Sequence, residues 1–504
     1  MIKNYTVSAK NLRAAANACY SKSKHGLLAM FANDERQIHG KFAIYCLFDG
    51  RNPEEMLSVK ALVDDQEAPE YPSLTPIIPA AAWFEREIHD LFGLTALENK
   101  DLRPLVLHEN WPQGLYPMRK DFAVEAVVPE AHKDFPLAHA HGEGVFEVPV
   151  GPIHAGIIEP GHFRFSQAGE TTFRLDAKLF FTHRGIEKIV EGQTIEQALF
   201  SAERICGACS VSHALSFCQT VESISKAIVP ERANVIRVIV AELERLYNHI
   251  GDVGNLCAGL GFSVGTSHGA RLKEHLMRLN DAVTGNRFLR GMIIPGGVRY
   301  DLSGGLIEEI YKTLKRTESD FREVVGLLEE NDQFLDRVNT TGILPFQAAK
   351  ELGVVGVAAR ASGVDYDLRR DKPYSGYAWI TCNVPFYRSG DVAARLWVRV
   401  DETLESIRIV RQMLERIVLT QTDLAVEIPP LEPYKAGIGW SESARGGNIH
   451  WLMTGKDNTI YRYFVRSASY ANWPALPVAV PGNIIPDFPL INKSFELCYA
   501  CLDR

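Results

Sequence analysis

Two Cys-x-x-Cys pairs, Cys206-Gly-Ala-Cys209 and Cys498-Tyr-Ala-Cys501, stand nearly three hundred residues apart in a chain of 504 residues. A two-residue spacer lets both sulfurs of a pair face one side of a turn or a helix start, so each pair can hold half of a metal centre. If both hold the same centre, the end of the chain is pinned against its middle. Residues 203–213 and 494–504 must then meet. Four thiolates are soft ligands that suit zinc, iron-sulfur clusters, copper(I) or nickel, and not magnesium or calcium. Spacing alone leaves a structural zinc site and an iron-sulfur cluster open beside nickel.

The other five cysteines, Cys19, Cys46, Cys218, Cys257 and Cys382, are scattered singly and read as small buried apolar residues. Nine cysteines without a paired framework point to a reduced, cytoplasmic protein and not to disulfides. The formal net charge of -8, with no long basic run, argues against a general nucleic-acid binder. No apolar stretch reaches the roughly 18 residues of a membrane span. The start, Met1-Ile-Lys-Asn-Tyr-Thr, lacks an apolar signal core and a twin-arginine pair. Apolar residues make up 46% and charged residues 23%, as in a soluble globular protein of two or three domains.

Residues 1–125 read as a small α/β unit: a helical N-terminal stretch, a strand over 41–48 ending at Asp49-Gly50, and a helix over 80–92 with Trp83, Phe84, Glu87, Ile88 and Leu91 at helical spacing before Gly93. This unit carries no catalytic constellation and reads as a docking domain. Periodicity is lost from residue 123, and residues 126–144, with Pro129, Pro136, Gly142 and Gly144, read as a linker whose His132, His139 and His141 are solvated. Residues 145–504 read as one large unit, a small sheet first and mainly helical after Cys209. Val235, Val238, Ile239, Leu243, Leu246 and Ile250 share one face after Pro230, and similar patterns span 271–289, 306–335 and 392–419. The expected class is α+β, a bundle-like core with the cysteine pairs at its edge.

The stretch Arg204-Ile-Cys206-Gly-Ala-Cys209-Ser-Val-Ser-His213 and the closing Cys498-x-x-Cys501 resemble the two signature motifs of nickel-iron hydrogenase large subunits. Residues 83–93, Asp101-Leu-Arg-Pro104 and 116–122 are similar to the core of the 30 kDa subunit of respiratory complex I, whose role is assembly. Glu496-Leu497-Cys498 where many hydrogenases read Asp-Pro-Cys, Arg504 where respiratory ones carry His, and the stretch 483–495 resemble the energy-converting, formate hydrogenlyase type. In that type a C-terminal tail is clipped after metal insertion, so ending at Arg504 reads as the mature form.

The resemblance implies a nickel-iron centre whose iron carries carbon monoxide and cyanide. Cys206 and Cys498 would bind nickel terminally, and Cys209 and Cys501 would bridge nickel and iron. His213 matches the motif's histidine, a hydrogen-bond donor to the ligands. Glu159, in Ile157-Ile-Glu-Pro-Gly-His162, occupies the place of the proton-relay glutamate, with Cys498 as first proton acceptor. Arg445, in Glu442-Ser-Ala-Arg445-Gly446, would hang over the open coordination position, with Glu496 as its carboxylate partner. An additional magnesium or iron ion near Arg504 is left open, and the four ligand cysteines cannot also carry an iron-sulfur cluster.

The implied function is proton reduction to H2, or H2 oxidation, coupled to formate oxidation. The implied partners are an iron-sulfur small subunit, ferredoxin-like subunits, membrane-anchor or antiporter-like subunits and a formate dehydrogenase, on the cytoplasmic face of the cell membrane. The competing reading is a complex I-like quinone or electron-transfer subunit. It shares the frame His183-Arg-Gly-Ile-Glu-Lys188 but lacks the two cysteine pairs.

Overall fold

The helical signal near the N-terminus belongs to α1 (Leu12–Tyr20), but the chain begins as a strand. In the computed structural model, which describes residues 2–53, 55–65, 67–137, 139–154 and 158–504, β1 (Ile2–Ser8) runs parallel to β4 (Met56–Asp64). Antiparallel β3 (Lys41–Asp49) and β2 (Leu27–Glu35) complete a sheet of order β1-β4-β3-β2. β1 is a mostly exposed edge strand, so it has no buried face to print an alternating pattern.

The opposite edge is covered. All nine residues of β2 are buried, and side chains of the C-terminal sheet satisfy its outer backbone. Arg466 Nε donates to the Leu28 carbonyl at 2.8 Å, the Tyr461 hydroxyl donates to the Asp34 carbonyl at 2.6 Å, and Phe31 stacks on Phe464 at 4.2 Å. An open edge that would invite pairing with another chain is thereby closed.

α2 (Ala82–Phe92) stops at Gly93, whose φ of 70° suits a residue without a Cβ. It points Glu87 into the body of the protein, where Glu87 Oε2 accepts from Arg504 Nη2 at 2.7 Å. Arg504 Nη1 donates to Glu187 Oε1 at 2.8 Å, and Arg462 Nη1 donates to Glu187 Oε2 at 2.8 Å. This buried chain of charges ties the last residue to both units. Glu87→Gln should therefore destabilise the protein by about 2 kcal/mol, the scale of a lost hydrogen bond to a charged group, since Glu187 still neutralises Arg504. Denaturant unfolding checks this; an unchanged midpoint would mean that the pair contributes nothing.

The second unit opens with an antiparallel sheet of β5 (Val145–Val150), β6 (His162–Ala168) and β7 (Thr171–Lys178). The long helices follow: α3 (Ser210–Ser225), α4 (Glu231–Gly259), α5 (Ser263–Thr284), α6 (Gly304–Glu329) and α7 (Val392–Ile417). The pattern over 306–335 is broken after α6, where the Asn331 side chain caps a separate helix, Asp332–Val338. α4 is the central post, packed against α5 and α7. It meets α5 at Gly254 and Gly269, where a Cβ on Gly269 would lie 2.6 Å from the Gly254 Cα.

The unit is not helical throughout. β8 (Ala436–Ser443), β9 (Gly446–Thr454) and β10 (Ile460–Arg466) form an antiparallel sheet under α3. α3 lies so close to β8 that a Cβ on Gly439 would fall 2.0 Å from the Ser216 carbonyl oxygen. The chain finishes with α8 (Phe488–Phe495) and α9 (Tyr499–Asp503). Among the described residues no helix is long and apolar enough to cross a membrane. Cys19, Cys46, Cys218 and Cys257 are buried and Cys382 half-buried, all as free thiols.

Candidate metal centre

Both cysteine motifs sit where a loop turns into a helix. Cys209 precedes the first turn of α3, and Cys498 caps α9, its sulfur accepting from the Cys501 N–H at 3.3 Å. Ala208 N–H donates to the Cys206 sulfur at 3.2 Å, so the first sulfur of each pair accepts from its own loop. α8 is broken at Glu496, whose φ of 51° turns the chain toward Cys498. One guanidinium then staples the motifs together: Arg184 donates to the carbonyls of Arg204 (3.0 Å), Ile205 (2.8 Å) and Ala500 (2.9 Å).

The four sulfurs converge. Cys206 and Cys498 sulfurs are 3.2 Å apart, and those of Cys206, Cys209 and Cys501 lie within 4.8 Å of one another. Metal–sulfur bonds of about 2.3 Å keep two ligands of one ion within about 4.6 Å, so sulfurs this close already stand at about ligand spacing. Cys206, Cys209 and Cys501 are buried, and Cys498 is half-buried. Hydrogen bonds from Cys209, Cys498 and Cys501 hold the Cys206 thiol well below its usual range. Bonding to that one thiolate pushes Cys209 and Cys498 up, and burial pushes up Cys501. A thiophilic cation held by the four sulfurs would draw their protons off. The donor set fits nickel on its chemistry.

Around the sulfurs stand the other residues singled out from the sequence. His213 Nε2 is 3.5 Å from the Cys501 sulfur, and burial lowers this imidazole to about 4. Glu159 Oε2 accepts from the Ala500 N–H at 2.8 Å, in the first turn of α9 between Cys498 and Cys501, and burial raises its carboxyl. Ile157, at the head of its motif, lies outside the described residues. Arg445 projects from the turn between β8 and β9. Its main partner is not Glu496, 3.9 Å away, but Asp252, which it grips with two nitrogens at 2.5 and 3.0 Å. Burial alone would raise Asp252, but Arg445, His249 and Arg399 hold it well below the usual carboxylate range. Burial and the Asp252 charge push Glu496 up to about 7, and its Oε1 accepts from Asn255 Nδ2 at 2.6 Å.

Asp252 and Asn255 belong to a stripe of α4 that the sequence did not single out. Glu244 accepts the Val211 and Ser212 N–H groups at 2.6 and 3.0 Å, burial pushing its carboxyl up to about 8. Asn248 Nδ2 donates to the Ala208 carbonyl at 2.7 Å. Glu244, Asn248, Asp252 and Asn255 recur at helical spacing along one face, the only signal that could have found them. On a single helix such a face looks like solvent.

The nickel-dependent hydrogenase family matches residues 184–258, the 49 kDa subunit of respiratory-chain NADH dehydrogenase matches 260–436, and the 30 kDa subunit matches 5–128. Formate hydrogenlyase subunit 5 of Escherichia coli (strain K12) is 34% identical over 504 residues, 99% of this chain and 88% of its own length. Hydrogenase-4 component G of the same organism is 34% identical over 99% of this chain and 87% of its own. A chain of the membrane-bound sulfane sulfur reductase, an archaeal respiratory membrane complex, superposes with a TM-score of 0.67 at 27% identity, over 72% of this chain and 99% of that one. The chain belongs to the nickel-dependent hydrogenase family that includes formate hydrogenlyase subunit 5 and hydrogenase-4 component G, with complex I 30 kDa and 49 kDa sequence units in one polypeptide.

Proposed function

We propose that this chain is the catalytic subunit of a membrane-attached nickel-iron hydrogenase coupled to formate oxidation, with Cys206, Cys209, Cys498 and Cys501 holding the metals. The observation that carries the reading is the meeting of four sulfurs from two distant motifs at one buried point. In this reading Cys206 and Cys498 would hold nickel alone, Cys209 and Cys501 would hold both nickel and iron, and the iron would carry carbon monoxide and cyanide. When bound, this centre supplies the place where H2 is formed or split.

The residues then divide the remaining work. The half-buried Cys498 sulfur takes or gives the proton, and Glu159, seated against the first turn of the helix that Cys498 caps, passes it toward the surface. Burial suits that carboxyl to the task, because it raises its affinity for a proton. Arg445 stays charged, since a guanidinium ionises above about 12. Anchored by Asp252, it supplies fixed positive potential beside the sulfurs and excludes water.

Glu87 and Glu187 are engaged by the guanidinium groups of Arg504 and Arg462, so a further magnesium or iron ion near Arg504 would have to be held through Asp503, whose buried Oδ1 has no hydrogen-bond partner among the described residues. Residues 1–125 serve as the docking domain and 126–144 as its linker to the catalytic unit. Electrons come through an iron-sulfur small subunit and ferredoxin-like subunits from a formate dehydrogenase. Attachment to the cytoplasmic face of the membrane comes from anchor subunits. The names of the relatives, which are subunits and components of larger assemblies, support this. The electron-transfer reading without metals leaves the four converging thiols without a purpose.

Metal analysis of the purified chain tests the proposal: nickel and iron together are expected, and zinc or no metal would overturn it. Glu159→Gln should load metal normally yet lose about 10²–10⁴-fold in hydrogen turnover, the range that a positioned acid or base contributes. Undiminished turnover would remove Glu159 from the proton path.

A further inference from the structure

Behind the Cys501 sulfur runs a line of three buried side chains, of which only His213, the expected donor to the ligands, has had a role so far. Tyr463 Oη lies 2.8 Å from His450 Nδ1, His450 Nε2 lies 2.9 Å from His213 Nδ1, and His213 Nε2 lies 3.5 Å from the Cys501 sulfur. All three side chains are 0% exposed. They come from three elements, Tyr463 on β10, His450 on β9 and His213 on α3. Strand register explains the first contact. His450 pairs with Val465 and Leu452 with Tyr463, so His450 and Tyr463 are diagonal neighbours on one face of the sheet.

We propose that Tyr463 and His450 are positioning residues that fix His213 as its Nε2–H tautomer, aiming that N–H at the Cys501 sulfur and so tuning the metal bound there. The proposal rests on the reading of Cys501 as a metal ligand. Each neutral imidazole carries one proton, so the line can be polarised in only two directions. In one, the phenol donates to His450 Nδ1, His450 Nε2–H donates to His213 Nδ1, and His213 Nε2–H donates to sulfur. In the other, every proton is reversed, and the phenol proton must find a different acceptor. Among the described residues the Tyr463 hydroxyl has no hydrogen-bond partner besides His450. Reversal would leave it unpaired in a fully buried place, a cost of about 1–3 kcal/mol. The other end agrees, because a ligating thiolate has no proton to give and can only accept.

The consequence is electronic. A hydrogen bond to a metal-bound sulfur draws charge from it, one of the levers by which a protein sets a metal's reduction potential. His213 alone could donate from either nitrogen; the tyrosine at the far end of the line removes the choice.

The test uses the full chain, metal-loaded, as wild type, Tyr463→Phe, His450→Gln and His450→Leu. Tyr463→Phe and His450→Leu are expected to keep the nickel content and to shift the midpoint potential of the metal to more negative values. His450→Gln, whose amide N–H can still donate to His213 Nδ1, should stay near wild type. Histidine 15N spectra should give the Nε2–H tautomer for both rings in wild type and a mixture in Tyr463→Phe. A Tyr463→Phe protein with wild-type potential and wild-type 15N pattern overturns the proposal, as does a wild-type His213 protonated at Nδ1. Should His450→Leu fail to fold, Tyr463→Phe decides alone. Wild-type protein that takes up no nickel would instead sink the reading of Cys501 as a ligand, while the 15N spectra of the metal-free chain still decide the tautomer.

Discussion

Cys498→Ser is expected to leave the folded chain nearly free of nickel and without measurable hydrogen turnover. The Cys498 sulfur sits 3.2 Å from that of Cys206, in the position of a second ligand to the same ion. A serine hydroxyl is a hard donor that does not ionise near neutral pH, so nickel would lose one of its soft ligands outright. Changes to residues that merely support a metal ligand cost about 10–100-fold in affinity, and loss of a ligand itself should exceed that. The fold should survive. Serine is a favoured residue at a helix N-terminus, where Cys498 caps α9, and the backbone N–H of residue 498 keeps its bond to Ser469 Oγ at 3.0 Å. Metal analysis beside circular dichroism separates the two effects. A fully nickel-loaded serine variant would take Cys498 out of the ligand set.

The cysteines were legible because their constraint is local: two residues between sulfurs, twice. The long helices were legible for the same reason, their apolar periods being written within each segment. What escaped notice depends on neighbours far away in sequence. β9 and β10 are buried at every position, so they show no alternation between faces, and Gly437 and Gly439 of β8 look like loop residues until α3 is laid against them. Asp252 escaped because an acid on a helix is ordinarily solvated. Only the fold puts it 6% exposed beneath Arg445. Glu496, which the resemblance offered as a carboxylate partner of Arg445, stands 3.9 Å from it and takes its shorter bond from Asn255.

Its closer grip on Arg445 makes Asp252 the more informative residue to change. Asp252→Asn keeps the shape and removes the charge, leaving Arg445 and Arg399, 8% and 2% exposed, around a neutral amide. Breaking a buried ion pair by removing one partner costs about 3–5 kcal/mol, because the remaining charge stays buried without compensation. The pH dependence follows from the sign of the shift. Asp252 is held well below its ordinary value of 3.8, so its stabilisation is fully present above that pH and fades only as acid protonates the folded carboxyl. The part of the stability gap that belongs to Asp252 itself should thus hold above about pH 4 and narrow below it, while a second change toward pH 7 should come from Glu496, which loses the charge that helps push its carboxyl up to about 7. Arg445, released, can swing toward Glu496, now 3.9 Å away, and turnover should fall by about 10²–10³-fold, the scale of a lost preorganised charge, with nickel retained. Denaturant titrations at several pH values, together with turnover per nickel, measure both. If turnover per nickel is unchanged while stability drops, the arginine is structural and takes no part in the proton's path. If both fall, the Asp252–Arg445 pair sets the potential in which the proton moves.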